Sequence, residues 1–398
     1  MPDPRPRNVK DLLAESKDTS ELMVDLAYAA VFYADPKLAG EVDHLEERMN
    51  GYIREIRLIS ILAARSREDA EAMTDVLHLA SCIEQIADAA VAIARVVSDV
   101  LGIPNALRAD LRHADEISGR VRIRPGSQCV GRTLEEIELP TETGLWVIAI
   151  RRGTEWIFDP GGDTVLGEED VVLFRGPEEG VQLIRTLAGA PTFDPEEDTI
   201  SEAAWPELDR AVDILVAMKN ASEVSIGLAY SALLLREPAL AAEVTTLESR
   251  SDELQNDLES WVLRATEQAP HPEELRGLLR LAYATEAICD AARSMTRLVD
   301  RSDDLHPIVA EAIEASEATS FSAVVEPGSP ADGKTLKDLR FKTETGLVAL
   351  AVQRAGRWIY RPPAHFALAA GDRIIAVGPE DGEDEIEELI RSPAPVAP

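Results

Sequence analysis

The sequence predicts an α+β multidomain protein, a tandem repeat of a three-helix bundle followed by a small α+β lobe. Three observations predict it. A constant shift of 202 residues, as from Trp156 to Trp358, lays the chain onto itself without a gap. Each repeat opens with long apolar stretches at helical spacing. Each closes with short apolar runs bounded by glycine and proline.

The duplication rests on matched motifs. Trp156-Ile157-Phe158 recurs as Trp358-Ile359-Tyr360, Thr143-Gly144-Leu145 as Thr345-Gly346-Leu347, and Pro125-Gly126-Ser127 as Pro327-Gly328-Ser329. Upstream, Tyr28 maps to Tyr230, Leu45-Glu46 to Leu247-Glu248, and Glu84 with Asp88 to Glu286 with Asp290.

The helical half begins with Leu22, Leu26, Ala29 and Ala30. Asp35-Pro36 restarts a second helix, because proline fits a first helical turn and aspartate caps it. That helix carries Val42, Leu45, Met49, Ile53, Ile56 and Ile59 on one face. A third is expected from about Glu68 to Leu101, striped by Met73, Leu77, Ala80, Ile83, Ile86, Ala90 and Ile93 and stopped by Gly102-Ile103-Pro104-Asn105. Three such helices pack as an antiparallel bundle.

From about Val121 the pattern changes to strands and turns. Leu145-Trp146-Val147-Ile148-Ala149-Ile150 is a buried strand, Arg152-Gly153 turns it into Trp156-Ile157-Phe158, and Val171-Val172-Leu173-Phe174 adds another. A short helix over 178–187 closes the lobe, and the second copy repeats the series over 347–352, 358–360, 373–377 and 384–390. The expected domains are helical halves at 9–118 and 211–320, lobes at 119–189 and 321–392, and an acidic linker at 190–210.

Composition bounds the function. The 398 residues hold 73 Asp and Glu against 40 Lys and Arg, a formal net charge of −33. Such a surface repels nucleic-acid duplexes and anionic lipid heads. It also keeps a protein hydrated in molar salt, so halophilic adaptation is expected. Cys82, Cys129 and Cys289 form no CxxC pair and suit a reducing cytoplasm. The apolar stretch over 83–101 is interrupted by Glu84, Asp88, Arg95 and Asp99, so no membrane span is expected. No HExxH, nucleophile or Walker motif occurs, and no GxGxxG follows a strand, so neither an enzyme nor an NAD site is expected.

The strand-rich half resembles the C-terminal ligand-binding lobe of TrkA/RCK proteins, which gate potassium transporters. The residues that carry this are Gly131-Arg132-Thr133-Leu134, Glu142-Thr143-Gly144-Leu145 and Asp159-Pro160. In the second copy they are Gly333-Lys334-Thr335-Leu336, Thr345-Gly346, Pro362-Pro363, Leu368-Ala369-Ala370-Gly371-Asp372 and Gly378. The first copy departs from the pattern with Glu169 where the second has Gly371, which bears on the geometry of that turn. The helical half resembles PhoU through Ile83-Glu84-Gln85-Ile86-Ala87-Asp88 and Glu286-Ala287-Ile288-Cys289-Asp290.

These resemblances imply a cytoplasmic regulatory subunit, peripheral to a membrane potassium or divalent-cation transporter and open to homo-oligomerisation. It would bind a small anionic ligand such as cyclic di-AMP. The alternative they imply is a PhoU-type metal-binding scaffold regulating phosphate transport or signalling. Ligand candidates are Arg151, Lys342 and Arg354, scarce basic groups suited to phosphate, with Trp146 to stack on a base. The repeat places Pro140 opposite Lys342, so an anion site is expected to be asymmetric. Metal candidates are Glu84, Asp88, Glu286 and Asp290, each pair four apart on one helix face. The blander reading of those carboxylates is a solvated acidic face, and of the arginines, charge balance.

Overall fold

The computed structural model describes residues 8–99, 101, 117–139, 143–153, 155–158, 160–176, 178–191, 206–267, 272–299 and 306–392. The helix stop at 102–105, Pro140, Glu142, Asp159 and most of the linker lie outside them. The chain forms two compact units, each assembled from both repeats: a helical unit (1–114 and 200–318) and a sheet unit (115–199 and 319–398).

In the helical unit the first repeat supplies α1 (Val9–Tyr33), α2 (Pro36–Ala63) and α3 (Arg67–Ser98). Local chemistry sets the boundaries. Asn8 caps α1 by accepting the Asp11 N–H at 2.8 Å, and Ala34 ends it in a left-handed conformation. Asp35 caps α2 ahead of Pro36, and a Ser66–Asp69 capping box starts α3. A short α4 (Leu134–Ile137) and α5 (Glu178–Leu187) belong to the first lobe. The second repeat gives α6 (Pro206–Leu235), α7 (Pro238–Ala265) and α8 (Arg276–Thr296), the last preceded by a 3-10 turn at Pro272–Leu275.

The antiparallel bundles merge where α3 packs on α8. Ile83, Ile86 and Ile93 on α3 and Leu281 and Ile288 on α8 are buried. The Tyr28 and Thr285 hydroxyls meet at 2.8 Å between the repeats. Helix α3 is long and apolar enough to cross a membrane, a test the sequence reading did not expect any segment to pass. Most of that stretch is buried within the bundle. A further helix, α9 (Pro307–Glu314), lies on α1 and α6.

The sheet unit holds two four-stranded antiparallel sheets. The first contains β1 (Ile117–Arg122), β2 (Trp146–Arg152), β3 (Glu155–Phe158) and β4 (Val171–Gly176) in the order β1-β4-β2-β3. The second contains β5 (Thr319–Val324), β6 (Val348–Arg354), β7 (Arg357–Tyr360) and β8 (Arg373–Gly378) in the order β5-β8-β6-β7. Helices α10 (Phe341–Thr345) and α11 (Gly382–Ile390) complete the second lobe. Both sheets carry the same irregularity, at Val147/Ala149 and Ala349/Ala351. Glu169 takes φ +66°, and Gly371 at the matching turn takes +86°. The first lobe therefore keeps the turn with a strained glutamate, whose carboxylate reaches Arg122 at 2.9 Å.

Candidate functional site

Each lobe carries a Thr-Gly-Leu turn built to be rigid. The Thr143 hydroxyl donates to the Leu139 carbonyl at 2.7 Å and accepts the Leu145 N–H at 3.1 Å. Thr345 does the same with Phe341 and Leu347, at 2.7 and 3.0 Å. Gly144 and Gly346 take φ of +72° and +68°, which glycine adopts without strain. Behind the turns, Gly180 and Gly382 press so close that an added Cβ would lie 2.1 Å from the Thr143 carbonyl and 2.4 Å from the Thr345 carbonyl.

The two lobes meet at one of these turns. The Lys342 side chain on α10 runs across Gly144, so that a Cβ there would lie 2.7 Å from its Cδ and 3.3 Å from its Nζ. A second-lobe ammonium thus sits over a first-lobe turn.

The other ligand candidates lie on strands β2 and β6. Arg151 stands opposite Trp156 in the β2–β3 register, its guanidinium 5.9 Å from the indole centre, and Trp156 stacks on Phe158 at 5.8 Å. Trp146 is half-buried at the start of β2, opposite Arg175. The Arg354 fork is filled from within its lobe. It holds both oxygens of buried Asp372 at 2.8 and 2.5 Å and donates to the Ala367 carbonyl at 2.6 Å. Arg152 repeats this with Asp170 and the Val165 carbonyl. Asp170 and Asp372 are 1% exposed and also accept backbone N–H groups of Gly167 and Ala369. This pairing was missed from the sequence, although both arginines and both aspartates obey the 202-residue shift.

Of the metal candidates, Asp88 and Asp290 come together in one open groove of about 570 Å³ along α3 and α8, with Gln85, Arg280 and Tyr283 around an alanine floor. Glu84 turns to Arg57 at 2.5 Å. Glu286 is pushed up to about 7 by burial, then by Asp290 and Asp252 nearby. Burial, with Glu84 and Glu46 adding to it, also raises Asp88. Among the described residues, no group of three or more His, Cys, Asp or Glu side chains is arranged to hold a metal ion.

Family models match both repeats: the PhoU domain at residues 13–97 and 215–299, and the TrkA-C domain at 119–189 and 321–391. No curated protein matches the chain. Among solved structures, PhoU from Pseudomonas aeruginosa is 15% identical over 73% of this chain and 93% of its own, with a TM-score of 0.40. The RCK_C domain dimer of S. agalactiae BusR in complex with c-di-AMP is 22% identical over 18% of this chain and 89% of its own, at 0.18. The GsuK RCK domain is 14% identical over 77% and 78%, at 0.19.

Proposed function

We propose that this chain, which carries two PhoU domains and two TrkA-C domains, is a cytoplasmic regulatory subunit that binds a small anionic ligand between its lobes and controls a membrane cation transporter. Both domain families are regulatory and non-catalytic, so the chain is a regulator of the ligand-binding kind. The observation that carries the finer reading is Lys342 lying across the Gly144 turn of the other lobe. A cation placed beside a rigid glycine turn, in a protein of net charge −33, supports capture of a phosphate. Two lobes in one polypeptide also meet at high effective concentration, so a ligand bridging them need not assemble a dimer.

Cyclic di-AMP is the proposed ligand, with Lys342 and Arg151 contacting phosphate and Trp146 available to a base. Arg354 remains a candidate, with its charge already shared with Asp372. Calorimetry in molar KCl tests this. Binding is expected, weakened about tenfold or more by Lys342→Ala, since a charge-assisted hydrogen bond contributes about 1.5–3 kcal/mol. If cyclic di-AMP, other cyclic dinucleotides and ATP all fail to bind, a constitutive scaffold replaces the sensor. If binding survives Lys342→Ala undiminished, the sensor stands with a different site.

One observation favours a second reading, a metal-binding scaffold for phosphate transport or signalling. Asp88 and Asp290, one from each repeat, line the same groove, and Asp290 raises the proton affinity of Glu286. A bound cation relieves such repulsion. Elemental analysis of protein purified without chelator distinguishes the readings, because stoichiometric transition metal favours this one.

A further inference from the structure

The chain carries a net charge of −33, yet one segment of the helical unit reverses that sign. Residues 54–67, which span the end of α2 and the turn into α3, hold Arg54, Arg57, Arg65 and Arg67 against Glu55 alone, a local charge of +3. The matching positions of the second repeat, 256–269, hold Arg264 against Asp257, Glu259 and Glu267, a charge of −2. The reversal therefore belongs to the first repeat and is not a by-product of building this helix end.

Between Arg54 and Arg65 the same face is apolar and uncovered. Leu58, Ile61 and Leu62 follow Arg54 at helical spacing, which puts them on one stripe. They are 52%, 67% and 78% exposed, although Ile56 and Ser60 in the same turns are buried. A single exposed leucine is ordinary, whereas three side by side form a patch. Arg54 and Arg65 are exposed as well, and Arg57 stays 50% exposed while it reaches Glu84. The acids that begin α3 are already engaged. Asp69 accepts the Arg65 and Ser66 N–H groups at 3.0 Å, and Glu71 pairs with Arg67 at 2.8 Å.

We propose that this end of α2 docks on an anionic lipid surface, with Leu58, Ile61 and Leu62 entering the interface and Arg54 and Arg65 meeting the headgroups.

Charge complementarity selects that occupant. An apolar stripe flanked by arginines matches an interface whose acyl boundary lies beneath a negative headgroup layer. Long arginine side chains keep their guanidinium groups at headgroup level while their stems cover apolar surface. The stripe is a convex helix surface, which a bilayer accommodates, whereas a bound peptide requires a groove. The acidic remainder of the chain repels the same lipid, so this end alone is drawn to it. Leu263, at the position matching Ile61, is 65% exposed but sits in the acidic segment and lacks that attraction. The docking surface stands apart from the lobes and from the Asp88–Asp290 groove, so it holds or fails independently of any ligand bound there.

Co-sedimentation of the full chain with vesicles in about 0.3 M KCl, where charges a few Å apart still interact, tests it. Binding is expected to vesicles of phosphatidylglycerol and phosphatidylcholine in equal parts, and little to phosphatidylcholine alone. Arg54→Gln with Arg65→Gln, and separately Ile61→Ser with Leu62→Ser, are each expected to weaken binding about tenfold or more. Leu263→Ser is expected to leave it unchanged. These side chains are exposed, so circular dichroism is expected to show every variant folded. A second measurement reports insertion itself: an environment-sensitive dye on Ala63→Cys is expected to shift to the blue on the anionic vesicles. Absence of binding to those vesicles, binding that ignores lipid charge, binding that survives both double substitutions, or an unshifted dye overturns the proposal. A vesicle-free dimer that Ile61→Ser with Leu62→Ser abolishes also overturns it, assigning the stripe to a second copy of the chain.

Discussion

Gly119 and Phe174 face each other across β1 and β4, and the matching pair in the second lobe is Phe321 and Ala376. The bulk has changed strands while the layer it fills has stayed. A Cβ on Gly119 would fall 2.2 Å from the Phe174 ring, so neither position changes alone. Phe174→Ala is expected to cost about 3–5 kcal/mol in denaturant unfolding, through the cavity it leaves. Adding Gly119→Phe, which copies the second lobe, is expected to recover most of it, and two purely additive losses would refute the exchange. Arg354→Ala belongs to the same scale. It strands the Asp372 carboxylate, and because the arginine is 41% exposed the expected loss is about 1–3 kcal/mol, below that of a fully buried pair. Glu286 gives a pH prediction. Its carboxyl titrates at 4.5 when unfolded and about 7 when folded, so its contribution to stability falls as pH rises across that window. Glu286→Gln is expected to raise the melting temperature at pH 8 and leave it nearly unchanged at pH 4, where both forms are neutral.

At the scale of elements, glycine packing makes the Thr-Gly-Leu turns brittle. Gly382→Ala drives a Cβ against the Thr345 carbonyl, where backbone must yield, and is expected to destabilise by about 1–3 kcal/mol. The same scale explains what the sequence revealed. Helical periodicity and caps made α1, α2 and α3 legible, because burial of one face and hydrogen bonding at the ends are local properties. Strand β1 was not legible, since Ser118-Gly119-Arg120 has no apolar run; its place is set by Phe174 on another strand. Helix α9 was missed too, its short Pro307–Glu314 span being stabilised by packing on α1 and α6. Lys342 was legible beside its turn, whereas its placement over Gly144 depends on how two distant lobes meet. The groove uniting Asp88 with Asp290 likewise arises only when α3 lies against α8.

For the whole molecule the governing quantity is a net charge of −33. Below about 0.1 M salt the screening length exceeds about 10 Å and carboxylates repel across the surface, while in molar salt it shrinks to about 3 Å. The melting temperature is therefore expected to rise substantially from low salt to molar KCl, and equal values would contradict this. Building each compact unit from both repeats has a different kind of consequence. A homodimer of one repeat would write every substitution twice, so a lysine over one partner's glycine would imply a lysine over the other's. Fusing the copies removes that constraint. Position 342 can be lysine while position 140 is proline, and position 18 can be aspartate while position 220 is asparagine. Duplication in one chain thus lets two equivalent stations drift into unequal ones, a freedom that no symmetric assembly of identical subunits possesses.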